Sequence, residues 1–154
     1  MIRIDSEREF ILVKTPFSIV KKINLKELGF TQISGSSLYL YQSGEYKILN
    51  YSIKPQLIFS INIEDEIIKI KLESISIKNL PNIFKTLKLN LEANIFPEKD
   101  LCKVNRHISL RYQSNNKLIK FISENFINKF LYNLIETISM RFDTKLIKKV
   151  LKII

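Results

Sequence analysis

His107 and Cys102 are the only histidine and cysteine in the 154-residue chain. That scarcity removes most site chemistry at the outset. A zinc or other nitrogen/sulfur metal site needs several such ligands, and an activated serine needs a base within reach. Ser36 and Ser114 lie in loop-like sequence with no histidine placed to serve either one. His107 alternates with Ile108 and Leu110, which puts it on the outer face of a strand. Glu64, Asp65 and Glu66 are consecutive carboxylates between two alternating runs, a pattern that reads as a solvated turn rather than an acid/base pair. The residue types therefore point to no catalytic residue, no metal and no cofactor. A lone cysteine also excludes an intramolecular disulfide, so Cys102 is expected to be a small core residue in a reducing compartment.

Arg106 is the more informative charge. By alternation it shares an inward face with Cys102, Val104, Ile108 and Leu110, where an unpaired cation costs several kcal/mol. Three resolutions are open: a local register shift, a side chain that snorkels to water, or an anchor for a carboxylate or phosphate in a cavity shared with Tyr112, Tyr39 and Tyr41. Glu92 on the neighbouring strand and Glu124 and Glu136 on the long helix are the possible internal partners, and all three fall on outward positions. A filled core in which Arg106 meets an internal carboxylate would end the anchor role and favour docking.

Lys145, Lys148, Lys149 and Lys152 share one helical face at i, i+3, i+4 and i+7. They suit docking on an acidic partner or an anionic membrane surface. They equally suit a solvated face near a helix carboxyl terminus. The formal charge of +10 has the same ambiguity. It attracts anions, nucleic acid included, yet the excess is mostly Lys in a chain rich in Ile, Lys and Asn, residues that AT-rich codons specify. Aromatics on apolar stripes, rather than interleaved with Arg, argue against specific nucleic-acid binding.

The elements that position these residues follow from periodicity. Lys117 to Lys152 reads as one long helix, with Phe126, Phe130, Leu134, Ile138, Phe142, Leu146 and Val150 on one stripe and Glu124, Glu136 and Asp143 between them. Most of the chain before it alternates. Arg3 to Val13 is a strand; Thr15-Pro16 opens short helical turns that end at Gly29. Leu38–Tyr41, Tyr46–Tyr51, Leu57–Ile63, Ile68–Ile77, Leu87–Ile95 and Val104–Leu110 are further strands, with a bulge expected near Ser74 where the apolar phase slips. One-sided alternation needs a cover, and the helix can supply it. The expected fold is α+β: a curved antiparallel sheet gripping one long C-terminal helix, in a single domain spanning 1–154. No apolar run approaches the ~20 residues of a membrane span, and the amino terminus is expected to carry no signal peptide.

This element order resembles the helix-grip superfamily, also described as START-like or polyketide-cyclase-like. Tyr51-Ser52-Ile53-Lys54-Pro55, Leu87-Lys88-Leu89-Asn90-Leu91, and Thr137-Ile138 with Arg141 resemble more particularly a cyanobacterial and plastid family, the domain of unknown function numbered nineteen ninety-seven. The similarity runs from about Leu38 to about Val150. Asn125-Phe126-Ile127-Asn128 stands where that family's long helix opens with a glycine-bearing stretch. The resemblance implies a plastid setting, in the stroma or on the stromal membrane face, and assigns no catalytic residue. It leaves two expectations: a non-enzymatic binder of a hydrophobic or acidic small molecule or an assembly factor for a photosynthetic complex, or a ligand-free subunit docking through its basic face.

Overall fold

A computed structural model of the protein describes residues 1–22, 24–42, 44–113 and 124–153, excepting the side chains of Ile19 and 151–153. Strand β1 (Ile2–Val13) leads through helix α1 (Phe17–Val20) and a 3-10 turn (Leu25–Leu28) to β2 (Thr31–Gln32). Strands β3 (Leu38–Gln42), β4 (Tyr46–Ile48), β5 (Tyr51–Glu64) and β6 (Ile67–Lys78) follow. A second 3-10 turn (Asn82–Phe84), β7 (Lys88–Glu98), β8 (Leu101–Tyr112) and helix α2 (Glu124–Ile153) complete the described chain.

The eight strands form one antiparallel sheet in the order β1-β8-β7-β6-β5-β3-β2, with β4 also paired to β5. Consecutive hairpins build its middle, and β1 closes back beside β8. Alternation is followed closely: Leu89, Leu91, Ala93 and Ile95 are buried while Lys88, Asn90, Glu92 and Asn94 are exposed. Two irregularities curve the sheet. Ile58 pairs with Ser74 and Phe59 with Leu72, which leaves Glu73 as the extra residue, one position from the expected bulge. A second shift falls at Leu12 in β1. The β5–β6 turn places both Asp65 and Glu66 at positive φ, 50° and 62°, the geometry whose twist matches a two-residue hairpin.

Helix α2 lies against the concave face. Its inward residues form two rows at four-residue steps: Phe130, Leu134, Ile138, the half-buried Phe142, Leu146 and Val150 in one, and Ile127, Leu131, Ile135, Ser139 and Asp143 in the other. Phe84 from the second 3-10 turn stacks on Phe130 with ring centroids 4.0 Å apart, and both are fully buried.

Several expectations change. The run Tyr46–Tyr51 is not one strand. It turns at Leu49, whose φ is 55°, so that β4 folds back on the start of β5. β5 therefore runs through Pro55, which cannot donate to a ladder and sits where the strand exchanges β4 for β3 as its neighbour. Ile63 shares the inward phase but is 51% exposed, one residue from the end of β5 at the hairpin tip. The cover is also composite: Phe17, Val20 and Phe84 join α2 in the core. The expected start of the long helix at Lys117, with Ile119 and Ile122, lies outside the described residues, as do Ser114 and the side chain of Lys152.

Candidate functional site

Two adjoining cavities separate the C-terminal half of α2 from the sheet. The larger, about 190 Å³, is bounded by Val20, Leu25, Tyr39, Ile61, Ile95 and Val150 among others, with Lys21 its one charged wall residue. The smaller, about 40 Å³, lies under Tyr41, Tyr46, Phe59 and Leu91, with Arg141, Lys145 and Lys149 at its edge. Leu28, Phe30, Ile70 and Leu146 line both. The aromatic wall is contiguous: Phe30 lies 5.2 Å from Tyr41 and 5.8 Å, edge-on, from Phe59. Arg141 stands 4.2 Å over the Tyr46 ring and Lys145 5.2 Å over that of Tyr41. Burial pushes the Tyr41 hydroxyl above its ordinary pKa, the Arg141 charge opposing in part, so the phenol stays a neutral donor at neutral pH.

On the other flank of α2, Arg106 points inward as its phase requires and is only 4% exposed. Its Nε and Nη2 donate to the two carboxylate oxygens of Asp143 at 2.7 and 2.8 Å. Nη1 donates to the carbonyl and hydroxyl oxygens of Ser6 at 3.1 and 2.9 Å, and Arg8 adds a third hydrogen bond to Asp143 at 3.0 Å. This network floors an open cleft of about 410 Å³ beside β1.

Solved structures share the fold of this chain, a curved antiparallel sheet against one long helix. ZhuI aromatase/cyclase from Streptomyces sp. R1128 superposes with a TM-score of 0.58 at 8% identity, covering 96% of this chain and 93% of its own. A conserved protein from Geobacillus kaustophilus gives 0.52 at 14% identity, with 98% and 96% covered. A protein from Thermus thermophilus gives 0.51 at 11%, with 97% of each chain covered. The chain has the helix-grip fold. No protein-family model and no curated protein matches its sequence.

The helix grip does not unite the four residues expected to share a cavity. Tyr39 and Tyr41 line the adjoining cavities, one each. Tyr112 is buried elsewhere: it packs on Phe84 and donates its hydroxyl to the Ile83 carbonyl at 2.8 Å. Arg106 is not an open anion anchor, since four of its five N–H donors are taken by Asp143 and Ser6 and its charge is met by the Asp143 carboxylate. The partner is Asp143, a residue that falls between the positions of the apolar stripe on α2. Its spacing held the signal, for it is the next four-residue step after Ile127, Leu131, Ile135 and Ser139.

The expected lysine stripe divides. Lys145 and Lys149 join Arg141 in a row along the cavity edge, whereas Lys148 is exposed away from it. Arg141, outside the expected stripe, is the member nearest the aromatic wall, 4.2 Å from the Tyr46 ring against 5.2 Å for Lys145 and Tyr41. His107 lies on the outer face and meets Asp5 at 2.9 Å. Among the described residues no group of three or more His, Cys, Asp and Glu could hold a metal ion, and no helix is long and apolar enough to cross a membrane.

Proposed function

We propose that this helix-grip domain holds a small hydrophobic molecule, without transforming it, in the cavities between α2 and the sheet. The observation that carries the reading is the apolar space itself. Among the described residues its walls are aliphatic and aromatic, with three tyrosines and a few cations as the polar groups. No nucleophile stands beside a base there. At about 190 Å³ the larger cavity falls short of the roughly 300–1,000 Å³ typical of drug-sized ligands. It exceeds the ~150 Å³ that suffices for a benzene-sized guest, so the occupant is a compact ring or a short alkyl chain.

Titration with octan-1-ol, a neutral probe, followed on the methyl resonances of Ile61, Ile70, Leu146 and Val150, tests the reading. Saturable shifts confined to these residues are expected, and Leu146→Phe, which fills the shared wall, removes them. Shifts that are absent, or that fall equally on the outer-face residue Ile11, defeat it.

The collinear segments around Tyr51–Pro55, Leu87–Leu91 and Thr137–Arg141 support a plastid-type setting for this binder, with assembly of a photosynthetic complex as one use. The rival is ligand-free docking through the basic face, favoured by the exposed Lys22, Lys26 and Lys148. A native mass spectrum of protein from its own source separates them: added mass of a small molecule supports the first, a stable acidic partner with empty protein the second. Nucleic acid, the third candidate, is expected to bind weakly and to be released as salt rises.

A further inference from the structure

We infer that the occupant carries an anionic head, held at the cavity edge by Arg141 and Lys149 with Lys145 between them, while its apolar part lies under α2. The inference rests on the cavity reading above and specifies its ligand class.

The three cations recur at four-residue steps, so they stand one above another on the same side of the helix. All three line the smaller cavity, and no Asp or Glu lines either cavity. Stacking like charges this way opposes helix stability. Several cations of the sheet are offset by carboxylates. Arg3 pairs with Asp5, Lys69 with Glu64, and Lys103 with Glu98 on the outer surface; Arg8 and Arg106 share Asp143. No carboxylate among the described residues pairs with Arg141 or Lys149. The helix dipole does not account for the row, since its effect is confined to the last turn and Arg141 and Lys145 precede Ile153 by more than that.

The geometry also separates head from tail. Arg141 and Lys145 rest over Tyr46 and Tyr41, contacts that hold the cations at the boundary between solvent and the apolar wall. A guanidinium there offers paired N–H donors to a carboxylate or phosphate, and the neutral Tyr41 hydroxyl offers another. Immediately inward, Phe30, Leu57, Phe59 and Leu91 accept only apolar atoms. Lys21, on the wall of the larger cavity, adds to the same positive field. An amphiphile with a short chain and one anionic group satisfies both halves of this surface.

The test compares octanoate with octan-1-ol at neutral pH by the same methyl shifts, in the wild-type protein and in the double variant Arg141→Met, Lys149→Met. Octanoate is expected to weaken by about tenfold in the variant while octan-1-ol stays within about twofold, because only the first loses charge-assisted hydrogen bonds. Raising NaCl from about 20 to about 300 mM should weaken octanoate alone, an independent reading on wild-type protein should the variant not fold. If octan-1-ol binds and octanoate is indifferent to both variant and salt, the anionic head is wrong and the cavity reading survives. If neither probe enters, both fall. Sedimentation with phosphatidylglycerol vesicles that is lost in the variant, with no octanoate shifts in the cavity, would assign the cations to a membrane surface and overturn the inference.

Discussion

Asp143 on α2 and Arg106 on β8 meet through two parallel hydrogen bonds of 2.7 and 2.8 Å, each side chain almost wholly buried. Asp143 is the one buried carboxylate on the described face of the helix, and Arg106 the one buried cation of the sheet. Their pairing fixes both the rotation of α2 and its position along the strands. A slip of one helical turn would part the two charges and leave Arg106 with Ser6.

Removing one partner should therefore cost far more than removing both. Asp143→Ala is expected to destabilise by about 3–5 kcal/mol, because it leaves Arg106 buried with only Ser6 as a partner. The double replacement Arg106→Met, Asp143→Leu should recover most of that loss. Urea melts of the three proteins check this; equal losses in single and double variants would mean that the pair contributes no coupling.

Phe84 and Phe130 form the aromatic centre of the other end of the core, stacked at 4.0 Å with an interplanar angle of 11°. Phe130→Ala is expected to cost about 3–5 kcal/mol, as large-to-small core substitutions do. Phe84→Ala should fall in the same range, with a coupling of about 0.5–1.5 kcal/mol in a double-mutant cycle by denaturation. A cost for Phe130→Ala under about 1 kcal/mol would be incompatible with its burial.

Gly29 ends the first 3-10 turn at φ 88°, where its N–H meets the carbonyls of Leu25 and Lys26. An added Cβ would lie 3.7 Å from the Tyr41 ring, an ordinary contact, so the cost of Gly29→Ala is backbone strain rather than collision. About 1–2 kcal/mol is expected from thermal melts. Gly29→Asn, which tolerates the left-handed region, should lose less.

Asp5 accepts hydrogen bonds from His107, at 2.9 Å, and from Arg3, at 3.0 Å, and these hold its carboxyl below the ordinary 3.8. The sign follows from linkage. A carboxyl depressed in the folded state contributes stability that is complete above its unfolded value and is lost as pH falls through the folded one. The effect is small at this exposed site. Carbonyl NMR titration should place Asp5 below an unperturbed aspartate, and His107→Ala should return it toward 3.8; no movement would remove His107 as the principal cause.

Much of the architecture was legible before the tertiary structure. Strict alternation in Leu87–Ile95 and Val104–Leu110, the phase slip before Ser74, the glycine at position 29 and the apolar stripe of α2 each report a local conformational requirement. A strand, bulge, cap or helix face is satisfied or violated within a few neighbouring residues, so their sum led to a helix on a curved antiparallel sheet. Short segments were harder. Tyr46–Tyr51 has too few residues for periodicity to separate one strand from a tight hairpin, and Phe84 sits in a three-residue turn that carries no period.

The candidate site depended on distances that no local pattern encodes. Alternation placed Arg106 inward, but its partner is 37 residues away on another element. A single charge at Asp143 reads as polar surface by composition, although its four-residue step from Ser139 continues the second buried row. Tyr41 and Arg141, a hundred residues apart in sequence, flank one cavity because β3 pairs with β5 and α2, which carries Arg141, packs across the sheet. Local propensity depends on chain neighbours and survives in the sequence. Cavities, ion pairs and the edge where cations meet aromatic rings depend on how elements pack, and packing is decided only when the whole chain has closed.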